Sequence, residues 1–260
     1  MKVLVTGAGG RIGRTLVRGL PELGHEVRGL DLVDDPGTCA LGWVTGDCLD
    51  PAVADEAVSG VDAVVHLAGN PNEAPLPESL ESHVHTTARL LEAMLAHGVG
   101  RMVYASSNHA VGHTPRGDLL TADVRPRPDT YYGVAKAAAE ALLSLYADRR
   151  DISSVALRIG SFRERPTSVR ELSTWLSPGD AVRMADAAVR SSEPGFHVLY
   201  GISANTRAWW DLGPGRALGY DPQDDAESYA DAVTPGPDDA AENAYVGGPL
   251  VSQLQLPPAF

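Results

Sequence analysis

Tyr132 and Lys136 stand four residues apart at the head of an apolar, alanine-rich run that continues through Leu142, Leu143 and Leu145. On a helix this spacing puts both side chains on one face, so a phenol and an ammonium can share one pocket. A nearby cation favours phenolate over phenol, and Lys136 is therefore expected to lower the pKa of Tyr132 and make it a general base near neutral pH. Alone, such a pair is ordinary on an amphipathic helix surface. Its weight comes from Ser106-Ser107-Asn108-His109, four polar residues that end the strand-like run Arg101 to Ala105. Strand carboxyl ends are where open α/β sheets bind ligands, which places Ser107 to meet Tyr132.

The elements that must position these groups begin at the N-terminus. Lys2 to Thr6 reads as a buried parallel strand, followed by Gly7-x-x-Gly10-x-x-Gly13 and a helical periodicity through Leu16, Val17, Leu20 and Leu23. Strand, glycine turn and helix form an opening in which backbone approaches a pyrophosphate at a helix N-terminus. Glu26 to Leu30 is a second strand ending at Asp31, roughly the 20 residues on at which such folds place an acid for the adenosine ribose. A carboxylate there repels a 2′-phosphate and favours NAD over NADP, although Arg28 beside it offers a phosphate partner. Further strands are expected at Trp43 to Gly46, Ala63 to Gly69 and Val155 to Ser161, with helices at Pro51 to Ser59, Glu78 to His97 and Asp180 to Ser191.

The chain has 260 residues, 43% hydrophobic and 21% charged, enough for one large α/β domain. A net charge of −13 argues against nucleic acid and anionic membranes as partners, while leaving room for a local basic site. There is no secretory-type leader or membrane-length apolar run, and Cys39 and Cys48 lack metal spacing, so a cytoplasmic protein without a metal site is expected.

Taken together, the glycine turn, Asp31, the Ala68-Gly69 exit of the fourth strand, Ser107, Tyr132 and Lys136 resemble the extended short-chain dehydrogenase/reductase superfamily. Within it, Ser-Ser-Asn-His, Leu157-Arg158-Ile159-Gly160-Ser161, Arg170-Glu171-Leu172-Ser173-Thr174-Trp175 and Gly201 to Asn205 with Trp209-Trp210 are similar to the uronate dehydrogenases. The resemblance implies a Rossmann-type α/β fold with a doubly wound, mainly parallel sheet. Residues 1–160 would be the NAD-binding core, and 161–260 a small substrate lobe and tail packed on the same domain. It implies oxidation of a hexuronic acid at C1 to an aldarolactone, with NAD as hydride acceptor. Tyr132 would take the hydroxyl proton, Ser107 position that oxygen, and Lys136 hold the nicotinamide ribose. NAD would meet Gly7, Gly10, Arg11, Ile12, Gly13, Asp31, Asp47, Cys48, Leu67, Ala68, Gly69, Tyr132, Lys136 and Ile159. The sugar acid would meet Ser107, Asn108, His109, Tyr132, Ser161 and Arg170, the last as carboxylate anchor. A homo-oligomer is compatible with the resemblance.

Three departures stand out: His83 where the extended branch carries an asparagine, Pro71 in place of a small polar residue, and Ala110 to Pro115 where a more aromatic stretch is usual. Two other readings use the same fold: a sugar epimerase or dehydratase with bound NAD, and a non-catalytic NAD-sensing regulator. Against the former, an Asn-x-Tyr-Gly-Pro turn is missing after Val155 to Ser161; against the latter, Ser107, Tyr132 and Lys136 are all present. Beyond Thr234 the composition shifts to proline, glycine and acid, the mark of a solvated arm, whereas the resemblance implies that Leu250 to Phe260 can order over the pocket.

Overall fold

The computed structural model describes residues 1–34, 37, 39–253 and 255–260, without the side chains of 252 and 253. In chain order come β1 (Lys2–Thr6), α1 (Arg11–Glu22), β2 (Glu26–Asp31), β3 (Trp43–Thr45), α2 (Pro51–Val58), β4 (Ala63–His66) and α3 (Leu76–Leu80). A π-turn (Glu81–His85) leads into α4 (Thr86–His97), β5 (Arg101–Ser107), a 3₁₀ turn (Asn108–Val111), α5 (Tyr131–Arg150) and β6 (Ser153–Ile159). Then follow β7 (Ser161–Phe162), α6 (Glu171–Thr174), β8 (Trp175–Leu176), α7 (Pro178–Arg190), β9 (Phe196–Gly201), α8 (Gly213–Ala217), α9 (Asp239–Glu242) and α10 (Pro249–Gln253).

Seven strands form one sheet in the order β3-β2-β1-β4-β5-β6-β9, every pairing parallel, while β7 and β8 make a separate two-stranded ladder. The order reverses between β1 and β4, and the crevice at such a switch point is where a ligand is received. Both faces of the sheet are buried, because successive side chains of a strand point to opposite sides. Val3 and Val5 of β1 pack with Leu16, Val17 and Leu20 of α1 and Met184 of α7, whereas Leu4 between them packs with Leu90, Leu91 and Met94 of α4 and Leu143 of α5. Each such side chain, fully buried, contributes about 1.5–3 kcal/mol.

The helix expected from Glu78 to His97 is present, running from Leu76 to His97 on continuous helical backbone. Its middle turn is a π-turn, which shifts the face presented by His83, Thr86 and Thr87 and buries all three. Thr87 Oγ1 donates to the His83 carbonyl and Thr86 Oγ1 to the Ser82 carbonyl, at 2.5 and 2.7 Å. The segment beyond Thr234 is no free arm either. Arg116 N donates to the Ala244 carbonyl, Val246 N to Thr114 and Gly247 N to Gly112, so the tail is paired to residues 112–116 around an isolated antiparallel bridge between Pro115 and Tyr245. Composition predicts solvation, but backbone pairing ties the segment down, and Val246 is completely buried. Leu76 N further reaches the Ala259 carbonyl at 3.2 Å.

Beneath the strand ends lies a buried ion pair. Arg158 on β6 donates twice to Glu140 on α5, at 2.8 and 3.1 Å, and Ser106 of β5 donates to the same carboxylate at 2.5 Å. This pair ties the helix carrying Tyr132 to two strands of the sheet. Removing one partner leaves a buried charge uncompensated, so Glu140→Ala should cost about 3–5 kcal/mol in urea unfolding. A loss below about 1 kcal/mol would show that the pair does not hold α5 to the sheet.

Candidate active site

Helix α5 starts in a well-capped position. Thr130 Oγ1 accepts from Gly133 N at 2.8 Å, and the carboxylate of Glu73, on the loop after β4, accepts from Tyr131 N at 2.7 Å and Tyr132 N at 3.1 Å. Three of the four amides that a helix start leaves unpaired are thereby satisfied. Gly133 lets the helix rest directly on the Asn108–Val111 turn, since a Cβ there would lie 2.3 Å from the His109 carbonyl oxygen. This contact brings Tyr132 and Ser107 together on one cleft wall. Ser107 Oγ accepts from His109 N at 3.2 Å.

The electrostatics differ from the expectation drawn from spacing. Lys136 Nζ donates to the Ala105 carbonyl at 2.6 Å and sits 5.4 Å above the Tyr132 ring and 4.7 Å above that of Tyr104. Burial pushes the Tyr132 phenol up to about 12, with the Ser107 bond pulling the other way. Burial likewise brings Lys136 down to about 7, opposed by Glu140. In this arrangement desolvation, and not the neighbouring lysine, sets the direction of the phenol's shift.

His83 presents its ring edge to Tyr132 at 5.0 Å between centroids and 83° between planes. Its Nε2 lies 2.9 Å from the Asn70 carbonyl, which can only accept, so Nε2 carries the proton and Nδ1 is a bare acceptor, buried and without a partner. Burial holds the imidazole neutral, its pKa near 2. Gly69 leaves room for this ring: a Cβ there would sit 2.5 Å from His83 Nδ1.

A cleft of about 950 Å³ runs from the glycine turn to Phe162. Its wall contains Gly7, Gly10, Arg11, Ile12, Gly13, Asp31, Asp47, Cys48, Leu67, Ala68, Gly69, Ser107, Asn108, His109, Tyr132, Lys136 and Ile159. A Cβ on Gly13 would fall 2.1 Å from the Gly7 oxygen, so the turn closes only with glycine there. Helix α1 begins after Gly10 with no side-chain cap and no acid in its first turn, which leaves its amides and positive dipole end for an anion. Asp31 faces the turn, its carboxylate accepting from Gly9 N at 2.8 Å. Arg28 is committed elsewhere: it donates to the Glu56, Ala57 and Ser59 carbonyls at 3.2, 2.9 and 2.7 Å, capping the end of α2, and is not held for a 2′-phosphate. These features fit a dinucleotide with a free 2′-hydroxyl. Burial pushes the Cys48 thiol up to about 12, so it meets this end of the cleft as a neutral group.

At the other end the residues divide. Asn108 and His109 line the cleft, with His109 Nδ1 held by the buried Asp129 carboxylate at 2.9 and 3.0 Å. Ser161 and Arg170 are not on its wall, although Gly160 and Phe162, which flank Ser161 in the chain, are. Arg170 Nη1 reaches Ser161 Oγ and Thr174 Oγ1, each at 3.4 Å, and its Nη2 donates to the Val246 carbonyl at 2.6 Å. Arg170 forms no ion pair among the described residues. Asn205 is a packing residue that donates to the Trp175 carbonyl at 2.9 Å, and Trp209 and Trp210 are buried against Tyr200 and Val246. Glu73, Asp129 and Val246 escape sequence reasoning because each acts across 20 to 138 residues of chain, with no local motif to announce it.

The sequence model of the NAD dependent epimerase/dehydratase family matches residues 3–162. A uronate dehydrogenase of Agrobacterium fabrum is 37% identical, with 96% of each chain covered. An NAD-dependent glucose-6-phosphate dehydrogenase of Haloferax volcanii is 34% identical over 87% of this chain and 95% of its own. The crystal structure of a tyrosine-to-alanine mutant of uronate dehydrogenase from Agrobacterium tumefaciens, complexed with NAD, superposes with a TM-score of 0.90 at 36% identity, covering 100% of this chain and 98% of that one.

The position of Lys136 predicts a pH signature of the cofactor-free protein. The folded chain releases this proton near pH 7 and the unfolded chain near 10.5, so between those values the unfolded state binds more protons and stability rises with pH. The Tm of the wild type should therefore climb relative to that of Lys136→Met between pH 7 and 10. A pH-independent difference in Tm would mean that the lysine keeps an ordinary pKa.

Proposed function

Because the chain belongs to the NAD dependent epimerase/dehydratase family, we propose that it is an NAD-dependent dehydrogenase that oxidises the C1 hydroxyl of a hexuronic acid to an aldarolactone. The observation that carries the substrate class is Arg170, a half-buried guanidinium without a carboxylate partner among the described residues. Burial lowers its pKa, opposed by the carboxylates of Glu171, Glu242 and Asp129, none of which forms an ion pair with it among the described residues. A substrate carboxylate, reached past Ser161, would supply the missing charge through paired N–H donors.

In this reading NAD, when bound, takes the hydride that leaves C1. The pyrophosphate would lie over Gly7, Gly10, Arg11, Ile12 and Gly13, with Asp31, Asp47 and Cys48 at the adenosine. Leu67, Ala68, Gly69 and Ile159 would flank the nicotinamide, and the unpaired His83 Nδ1 would offer it an acceptor where the family carries an asparagine. Tyr132 as phenolate takes the C1 hydroxyl proton, Ser107 donates to the same oxygen, and Lys136 supplies the cation beside the phenol and binds the ribose. Asn108 and the Asp129-held His109 would contact the ring hydroxyls, Ser161 the carboxylate end. The division into a cofactor part, 1–160, and a substrate part, 161–260, belongs to the same proposal; β9 of the common sheet lies in the second part.

The test is NADH formation with glucuronate, galacturonate, glucose and galactose in parallel, using NAD and NADP. Reduction of NAD by the two acids is expected; equal rates with the neutral sugars would remove the carboxylate from the reading, and no reduction would favour a regulator or an epimerase. Tyr132→Phe should lower kcat about 10²–10⁴-fold with NAD affinity retained, and an active variant would overturn the base assignment. Losing the charge-assisted contacts in Arg170→Ala, worth about 1.5–3 kcal/mol, should raise the uronate KM about 10–100-fold. An unchanged KM would dismiss the anchor.

A further inference from the structure

The C-terminal strap closes on the substrate end in a specific way. One carbonyl, that of the fully buried Val246, accepts from both Asn108 Nδ2 at 3.0 Å and Arg170 Nη2 at 2.6 Å. These two side chains come from different elements, the turn after β5 and the segment before α6. The strap itself is pinned through Val246 N to Thr114 and Gly247 N to Gly112.

Steric fit is as exact a constraint as the hydrogen bonds. A Cβ on Gly248 would lie 2.2 Å from Arg170 Nε and 2.8 Å from its Cδ, so the arginine stem occupies the space that glycine leaves. Gly248 also has φ +66, and Gly247 abuts the Asp129 carboxylate that orients His109. The backbone of the strap thus closes the Nε edge of Arg170, binds one Nη2 hydrogen, and leaves Nη1 only two long contacts, at 3.4 Å, on the Ser161 side.

We propose that the strap Tyr245–Gly248 is a specificity-determining element: it fixes the guanidinium of Arg170 and the amide of Asn108 in register, so that Nη1 and the free Nη2 hydrogen are presented toward a substrate carboxylate. This rests on the uronate reading of the site. Val246, Gly247 and Gly248 act through Arg170 and Asn108 and are positioning residues. A guanidinium without this support keeps several rotamers, and ordering it on binding opposes affinity.

The test is a double-mutant cycle between Gly248→Ala and Arg170→Ala, with Gly219→Ala as a control. Gly219 has φ +92 and nothing within 4 Å of an added Cβ, so it carries the same kind of backbone strain without the arginine contact. The expected result is a uronate KM raised at least tenfold by Gly248→Ala and unmoved by Gly219→Ala, with NAD affinity the same in all variants. In the Arg170→Ala background, Gly248→Ala should add nothing, because the group it displaces is gone. A uronate KM unchanged by Gly248→Ala, or raised equally in both backgrounds, overturns the role of the strap and leaves the dehydrogenase reading standing. A wild type that oxidises no uronate overturns both. Should Gly248→Ala lose NAD binding through misfolding, Asn108→Ala, which removes the other side chain held by the Val246 carbonyl, is measured in the same cycle: a KM effect smaller in the Arg170→Ala background than in the wild type supports the inference, and equal effects in both reject it.

Discussion

The close seating of α5 on the end of β5 is the constraint on which the rest of the site depends. Gly133 allows backbone to approach backbone at the His109 carbonyl, Lys136 reaches across to the Ala105 carbonyl, and Glu140 one turn further along holds Arg158 and Ser106. Three successive turns of one helix thus meet the turn after β5, then β5 itself, then β5 and β6 together. Tyr132 is placed by this framework rather than by its own contacts, and the Glu73 carboxylate on its amide draws the loop after β4 into it.

Such seating has an electrostatic consequence. The packing that aligns Tyr132, Lys136 and His83 also strips them of water, and each responds by favouring its neutral form: the phenol rises, the ammonium and imidazolium fall. Charging the phenol and the ammonium together would therefore require groups that replace the hydration lost on burial. His83 illustrates the same economy. Its protonated nitrogen is consumed by Asn70, and the other is a buried acceptor without a partner among the described residues.

Surface and site carry opposite signs. The chain as a whole is acidic, at −13, yet Lys136 is buried and Arg170 half-buried, the latter without an ion pair among the described residues. Global charge constrains encounter with large anions over a Debye length, whereas recognition of one small carboxylate is settled within a few ångströms. Accordingly the net charge speaks against nucleic acid and is silent on an anionic sugar.

Much of the fold and half of the candidate site are legible in the residues themselves. Alternating apolar runs fixed to glycine turns, Asp31 at the end of β2, and a tyrosine and lysine one helical turn apart are local patterns, and local patterns follow from backbone periodicity and steric rules that act within a few residues. Hence the parallel sheet, the cleft wall from Gly7 to Lys136 and the pairing of Ser107 with Tyr132 could be anticipated. What only the tertiary structure decided lies across long stretches of chain: Arg28 spent on the end of α2, the π-turn that buries His83, the sign of the shifts at Tyr132 and Lys136, and a tail of disordered composition paired to residues 112–116. Burial and long-range hydrogen bonding depend on which surfaces meet, and composition carries no record of that meeting. The sequence by itself determined which chemical groups are present and on which elements they ride; packing decided their charge, their partners and, through Val246, the orientation of Arg170.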